Sequence, residues 1–250
     1  MNPKDDIRLS STFSNELFNQ SFDMGVDYLE IGLDNFFTDG VIQQIPIVKS
    51  MHSLFKIFGS IREFDLTKKL LAFVKAVNSG TIDTEKLEEY KSRFYKDKHF
   101  RDKQIEHIIV ILDRVSEAKK ALVLANLYRG YIEQIYTWDK FVELSYCLES
   151  AFLSDIDLLK FLFGLNAARF HDSGDKTIAI GEIVLENFEF DDKFVSVNRL
   201  NSSGLLIINS TSKTWGELAD PYLQTVKVSG LGILFYRYGG IALYQQFAED

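Results

Sequence analysis

The sequence predicts a mainly α-helical chain in two parts, a helical bundle over residues 1–136 and an α+β domain over residues 137–250. Three observations carry this. Before Phe170, apolar residues recur at spacings of three and four, the period with which a helix buries one face. Capping and stop residues fall between those runs. After Phe170 the runs become short and rich in β-favouring residues, with turn formers between them. The composition agrees: 250 residues suffice for one large or two modest domains, and 46% hydrophobic with 26% charged residues suits a packed core. With 21 Phe and only 2 Trp, aromatic packing carries much of the burial, and the 3 Pro leave room for long helices.

Element by element, Phe18, Phe22, Val26, Leu29 and Leu33 set a helix between Phe13 and Phe37, weakened by Gly25 and Gly32 and ended by Asp39-Gly40. Pro46 suits the first turn of the next helix, where its missing N–H has no intrahelical partner. Ile47, Val48, Met51, Leu54, Phe55, Phe58 and Ile61 then form one stripe, opposite Lys49, His52, Ser53, Lys56, Ser60 and Arg62. Asp65 or Thr67 caps a helix through Leu66, Leu70, Leu71, Phe73, Val74 and Val77, stopped by Asn78-Ser79-Gly80. Thr84 caps a charged helix from Glu85 to Tyr95. The polar stretch from Lys96 to His99 separates it from a helix at Ile105–Val115; its five aliphatic residues from Ile108 to Leu112 also suit a strand, but the flanking period favours helix. Ser116 caps Glu117–Ile135, the run richest in strong helix formers. Thr137 caps Trp138–Ser150, and Ser154-Asp155 opens a further helix through Leu162.

His171–Asp175 reads as a turn-rich connector. Thr177–Val184, Leu205–Ile208 and Tyr222–Val228 read as strands. Phe194, Val197 and Leu200 fit a short helix ended by Ser202-Ser203-Gly204, and Leu231–Tyr238 and Ile241–Phe247 are helical.

The order of elements from Trp138 onward centres on Arg199-Leu200-Asn201-Ser202-Ser203-Gly204-Leu205-Leu206. A short helix ending in Ser-Gly and running into an aliphatic strand resembles the passage from third helix to wing hairpin in winged-helix domains. Thr225–Gly232 resembles the returning strand and its exit. The resemblance implies a winged-helix-like C-terminal domain. Such domains often bind DNA, yet residues 151–250 hold 8 Lys or Arg against 13 Asp or Glu, a net of -5. The helix before the wing carries only Lys193 and Arg199, opposed by Asp191 and Asp192. Cationic side chains supply most non-specific DNA affinity, so protein is the favoured partner and nucleic acid is disfavoured. Residues 39–150 also resemble uncharacterised bacterial helical proteins of the abortive-infection and prophage-associated type. The likeness lies in Ile45-Pro46-Ile47-Val48, Leu54-Phe55-Lys56-Ile57, Ser60-Ile61-Arg62, Lys68–Phe73 and Ala118–Glu133. It implies a role in phage defence or its regulation and transfers no functional site.

No pattern in the chain signals catalysis. His52, His99, His107 and His171 are scattered without a metal-ligand spacing, and no phosphate-binding glycine loop occurs, so no metal, cofactor or catalytic residue is expected. Asp113, Arg114 and Glu117 read as solvated helix-end charges. Cys147, the lone cysteine, lies in an apolar helical context and reads as an inert buried thiol. The single cysteine, the polar N-terminus and the absence of a long apolar window point to the cytoplasm. The expected function is a non-enzymatic interaction or regulatory protein that binds another protein. The alternative is a membrane-active effector, in which helix 46–62 lies on an anionic surface through Lys49, Lys56 and Arg62; these three are also the candidate partner contacts. A DNA-binding regulator is the third reading.

Overall fold

The computed structural model describes residues 11–19, 27–32, 40, 42–54, 61–173, 183–184, 191–210 and 224–241, with backbone alone at 52–54, 165–173, 183–184, 191–192, 210 and 224–225. The chain is mainly helical, with one small antiparallel sheet among the described residues. It divides into two compact units, residues 1–145 and 146–250. The boundary expected at 136/137 lies at the turn before the helix in which this division falls.

In the first unit, a helical turn at residues 11–16 and a 3-10 turn at Ile42–Gln44 precede α1 (Pro46–Leu54), α2 (Ile61–Ser79), α3 (Thr84–Lys96), α4 (Lys98–Arg114), α5 (Lys120–Ile132) and α6 (Trp138–Ser150). The core is centred on α2 and α5, which share the most extensive helix contact. Leu70, Leu71, Phe73 and Val74 of α2 are fully buried, as are Val123, Leu124, Leu127 and Tyr128 of α5. Ile47, Val48 and Met51 of α1 are buried as well, as its stripe requires.

Several expected boundaries shift, each for a local reason. The helix expected from Phe13 to Phe37 is broken: the chain leaves helical geometry after residue 16, and Asp27 forms a side-chain turn by accepting from the Leu29 amide. Residues 20–26 and 33–39 lie outside the described residues. Asp65 and Thr67 are not caps, because α2 has already begun at Ile61; Thr67 donates back to the Glu63 carbonyl, and Asp65 pairs with the buried Lys69 at 2.5 Å. Ile61 is 75% exposed and so leaves the apolar stripe assigned to it. The α3 cap is Asp83 rather than Thr84, accepting from the Lys86 amide. Asp97 alone separates α3 from α4: its N–H donates to the Arg93 carbonyl while its carboxylate caps α4 at the Phe100 amide. The polar stretch from Lys98 is therefore the first turn of α4.

Ser116 caps nothing. Its hydroxyl turns to the Glu117 carboxylate, and the carbonyls of residues 117–119 accept from the amides three residues on, leading into α5, which starts at Lys120. That helix ends at Ile132 rather than Ile135, because Gln134 takes the left-handed position (φ 60°) while the Ile135 amide reaches back to the Gly130 carbonyl. Thr137 does cap α6, accepting from the Lys140 amide at 3.4 Å.

The second unit holds α7 (Leu153–Ser173), β1 (Ile183–Val184), α8 (Asp191–Ser202), β2 (Leu206–Ser210), β3 (Gln224–Val228) and α9 (Gly230–Tyr238). The Asp155 carboxylate caps α7 by accepting from the Phe152 amide at 2.8 Å. Helix α7 runs past Leu162 to Ser173, so residues 171–173 are helical and not part of a turn-rich connector. The sheet order is β1-β3-β2, antiparallel, with Ile183 opposite Val226 and Leu206 opposite Val228. The rest of the expected Thr177–Val184 strand, and Ile241–Phe247 beyond Ile241, lie outside the described residues. Ile156, Leu159, Leu162, Val197, Leu200, Leu206, Val226, Val228 and Phe235 form the core.

Gly204 ends α8 with φ +76°, which glycine adopts without strain, and the Leu205 amide returns to the Leu200 carbonyl. Ser229 caps α9 by accepting from the Gly232 amide at 2.9 Å, while its own N–H donates to the Leu205 carbonyl. This brings the backbone at Gly232 against β2: a Cβ there would sit 2.2 Å from the Leu205 carbonyl oxygen and 2.8 Å from Val228 Cγ1. Gly232→Ala should therefore destabilise this unit by about 1–3 kcal/mol through overpacking. Urea denaturation checks it; an unchanged midpoint would show that α9 yields at no cost.

Candidate functional site

The three cations singled out from the sequence are not gathered on one helix. Lys49 is exposed on α1 and donates to Gln44 Oε1 at 2.9 Å. Arg62 lies on α2, 72% exposed, and its guanidinium donates to both oxygens of Asp113 at 2.8 and 3.4 Å. Lys56, with Phe55 and Phe58, lies outside the described residues. The described apolar positions of α1 are committed to the core. Among the described residues no helix is long and apolar enough to cross a membrane, and no group of three or more His, Cys, Asp or Glu is placed to hold a metal ion.

Two polar clusters in the first unit were not legible in the sequence. In one, Tyr90 donates to Gln104, Tyr128 donates to Gln104 Oε1 at 3.1 Å, and Gln104 Nε2 donates to the Tyr131 hydroxyl at 3.2 Å. The Tyr90 and Tyr128 hydroxyls also lie 2.5 Å apart. Burial pushes all three phenols above their ordinary range, so they stay protonated and serve as fixed hydrogen-bonding groups. In the other, His107 Nε2 lies 2.8 Å from Ser145 Oγ. Ser145 gives its own proton to the Val142 carbonyl at 2.7 Å, so it accepts from the imidazole N–H and is not poised as a nucleophile.

His107 is walled by the Trp138 and Phe141 rings at 5.5 and 6.0 Å. Burial, and then the charges of Arg114 and Lys103, push its pKa below the ordinary value. The unfolded chain therefore binds the proton more readily than the folded one. The stabilisation is complete above the unfolded pKa of about 6.5 and is lost as pH falls through that value toward the folded one. Unfolding free energy should decline over that interval in the native chain and decline less in His107→Gln. Parallel pH profiles of the two would show that His107 does not contribute.

An apolar surface with a defined shape lies on α8. Val197 and Leu200 face the core, whereas Phe194, in helical register with them, is 46% exposed, and Val195 is 51% exposed. With Asn198 and Arg199 they wall a groove of about 430 Å³ that Ser150 at the end of α6, together with Ser202 and Ser203, closes. Cys147, buried as the sequence predicts, donates from Sγ to the Ser203 carbonyl at 3.2 Å and ties the ends of the two helices together.

Both cations of α8 are engaged. Arg199 donates through two nitrogens to Asp155 at 2.8 and 2.6 Å, and its guanidinium lies 4.8 Å from the centre of the Phe152 ring. Lys193 Nζ lies 5.9 Å from the Phe161 ring centre. Burial raises the Asp155 pKa, but the hydrogen bonds from Arg199, Ser196 and the Phe152 amide outweigh it and hold the carboxyl below its ordinary range. The same pairing raises the pKa of Arg199. The groove is thus apolar-walled, with its only cation neutralised at short range.

No protein-family model, no curated protein and no solved structure matches this chain.

Proposed function

We propose that this chain is a non-enzymatic interaction protein whose second unit is a winged-helix-like module that docks on another protein through the exposed face of α8. One observation carries the reading: α8 offers Phe194 and Val195 to solvent while Arg199 is paired with Asp155. In a winged helix the element before the wing is the one that meets the ligand. Here α8 precedes a hairpin of β2 and β3, and β3 pairs in turn with β1. An arginine already neutralised by an internal carboxylate gains little from phosphate, whereas exposed apolar side chains gain by burial against protein. The resemblance of residues 39–150 to abortive-infection proteins is the basis for proposing that the partner belongs to the response to phage.

The test is a photo-crosslinking residue at Val195 in the full chain, expressed in the native cell, with adducts identified by mass spectrometry. Discrete protein adducts that disappear in Phe194→Asp, with the circular dichroism spectrum retained, are expected. A mobility shift of duplex DNA that weakens steeply with salt, or co-sedimentation with anionic liposomes, would instead favour the DNA-binding regulator or the membrane-active effector.

A further inference from the structure

At the outer end of the tyrosine cluster, where α3, α4, α5 and α6 come together, the side-chain groups without a partner are donors. Gln104, 2% exposed, has its Oε1 occupied by the hydroxyls of Tyr90 and Tyr128, so its Nε2 turns to the Tyr131 oxygen at 3.2 Å. Tyr131 thus accepts from inside, and its own proton has no acceptor among the described residues. The Arg93 guanidinium lies 3.9 Å from the centre of the Phe100 ring and has no carboxylate partner among the described residues. One turn along α4 from Phe100, Lys103 is exposed and also unpaired among them. The partly exposed Trp138 ring stands 5.3 Å from that of Tyr131 and 5.5 Å from that of His107, and its indole N–H has no acceptor among the described residues. The carboxylates nearest along α3 and α4 are engaged elsewhere: Glu89 accepts from Gln134 at 2.9 Å, Asp97 from the Phe100 amide at 3.0 Å, and Asp102 pairs with Arg101 at 3.4 Å. Glu106 and Asp139 pair with neither cation. Residues 93–107, all of them described, hold 5 Lys or Arg against 3 Asp or Glu, in a chain whose net charge is -8. The cations are felt by the rings beside them: after burial, the charges of Arg114 and Lys103 lower the His107 pKa, and Arg93 opposes the rise that burial gives Tyr131.

We propose that Arg93, Lys103, Tyr131 and Trp138 form a site for the phosphate group of a small phosphorylated molecule. A phosphate ester carries about 1.5 to 2 negative charges at neutral pH and three acceptor oxygens, where a carboxylate offers one charge and two oxygens. Two unpaired cations with two neutral donors match the phosphate, and the guanidinium fork fits it through parallel hydrogen bonds. The buried phenol pair sets the polarity of the site: it fixes Gln104, and Gln104 fixes Tyr131 as a donor toward the outside. The two cations beside these rings answer one phosphate rather than the repeated charges of a nucleic-acid backbone. The site belongs to the first unit and does not depend on the docking role of α8.

The test is isothermal titration calorimetry of the full chain with inorganic phosphate, glycerol phosphate, adenosine monophosphate and acetate, at low and high salt. The phosphate compounds should bind about tenfold more tightly than acetate, with the advantage shrinking as salt rises. Tighter binding of the two esters than of inorganic phosphate would assign the site to an esterified ligand, and equal binding would assign it to the free anion. Arg93→Gln and Lys103→Gln, both at exposed positions, should each weaken the phosphate compounds about tenfold with the circular dichroism spectrum unchanged. Lys227→Gln, which removes an exposed cation of the second unit, should leave the affinity as it is. Addition of phosphate should also shift the nuclear magnetic resonance signal of the Trp138 indole N–H. Equal affinity for acetate, no binding at millimolar phosphate, or a loss in Lys227→Gln as large as in Arg93→Gln would each overturn the site. A single-stranded oligonucleotide that binds far more tightly than adenosine monophosphate would overturn it too, in favour of a nucleic-acid surface.

Discussion

Phe141→Ala should destabilise the first unit by about 3–5 kcal/mol, the loss typical of a fully buried aromatic side chain cut to a methyl group. Phe141 has no exposed surface, and the rings of Trp138, Tyr128 and Tyr131 stand 5.1, 5.5 and 6.2 Å from its own. Four aromatic neighbours, His107 included, cannot collapse into the space without leaving their rotamers, so a cavity remains. The consequence extends to charge. Phe141 is one of the two rings that keep water from His107, so its removal should let the His107 pKa rise toward its ordinary value. Urea denaturation reads the first effect and a nuclear magnetic resonance titration of the imidazole reads the second. Val110→Ala, at a partly exposed position of α4, should change stability by no more than about 0.5 kcal/mol. Equal losses from the two variants would show that Phe141 is not tightly packed in this core.

Arg199→Ala should cost the second unit about 3–5 kcal/mol, because it leaves a carboxylate that is 0% exposed without its cation. Asp155 would keep only the Phe152 amide and Ser196 as donors. Arg199→Lys should recover part of the loss, since an ammonium restores charge but not the two-pronged geometry. The pH dependence separates this account from a simple loss of packing. With its folded pKa depressed, Asp155 stabilises the native chain above the unfolded value of about 3.9, and that contribution fades as pH falls through the depressed value. In Arg199→Ala two of the influences that lower the Asp155 pKa are lost, so the folded pKa rises from its depressed position and the acid-range loss of stability shrinks. A shallower decline in the acid range is expected; parallel profiles would place the cost of the substitution outside the ion pair.

Much of the fold was legible in the residues themselves. Helical period and its change after Phe170 mark the helices and the strands, and Pro46, Thr137 and Gly204 announce their local roles, because these signals act within a few residues of where they are written. Boundaries were read less well where one side chain has two local uses: Ser116 turns to Glu117 instead of capping, and Asp97 ends one helix while starting the next. The burial of Cys147 followed from its apolar neighbours alone.

What could not be read from sequence depends on partners far away along the chain. Phe194 sits in register with Val197 and Leu200, and only the packing around α8 buries those two and leaves Phe194 beside Val195 in an open groove. Arg199 reads as a lone cation on a helix, yet its partner Asp155 lies 44 residues earlier. Gln104 draws together tyrosines from α3 and α5, and His107 meets Ser145 across 38 residues of chain. Local sequence determined which segments are helical and which face each must bury, since hydrogen bonding and periodicity are short-range. Tertiary structure alone decided which polar side chains meet, and hence which charge is neutralised and which apolar face stays open, because those contacts depend on how distant helices pack.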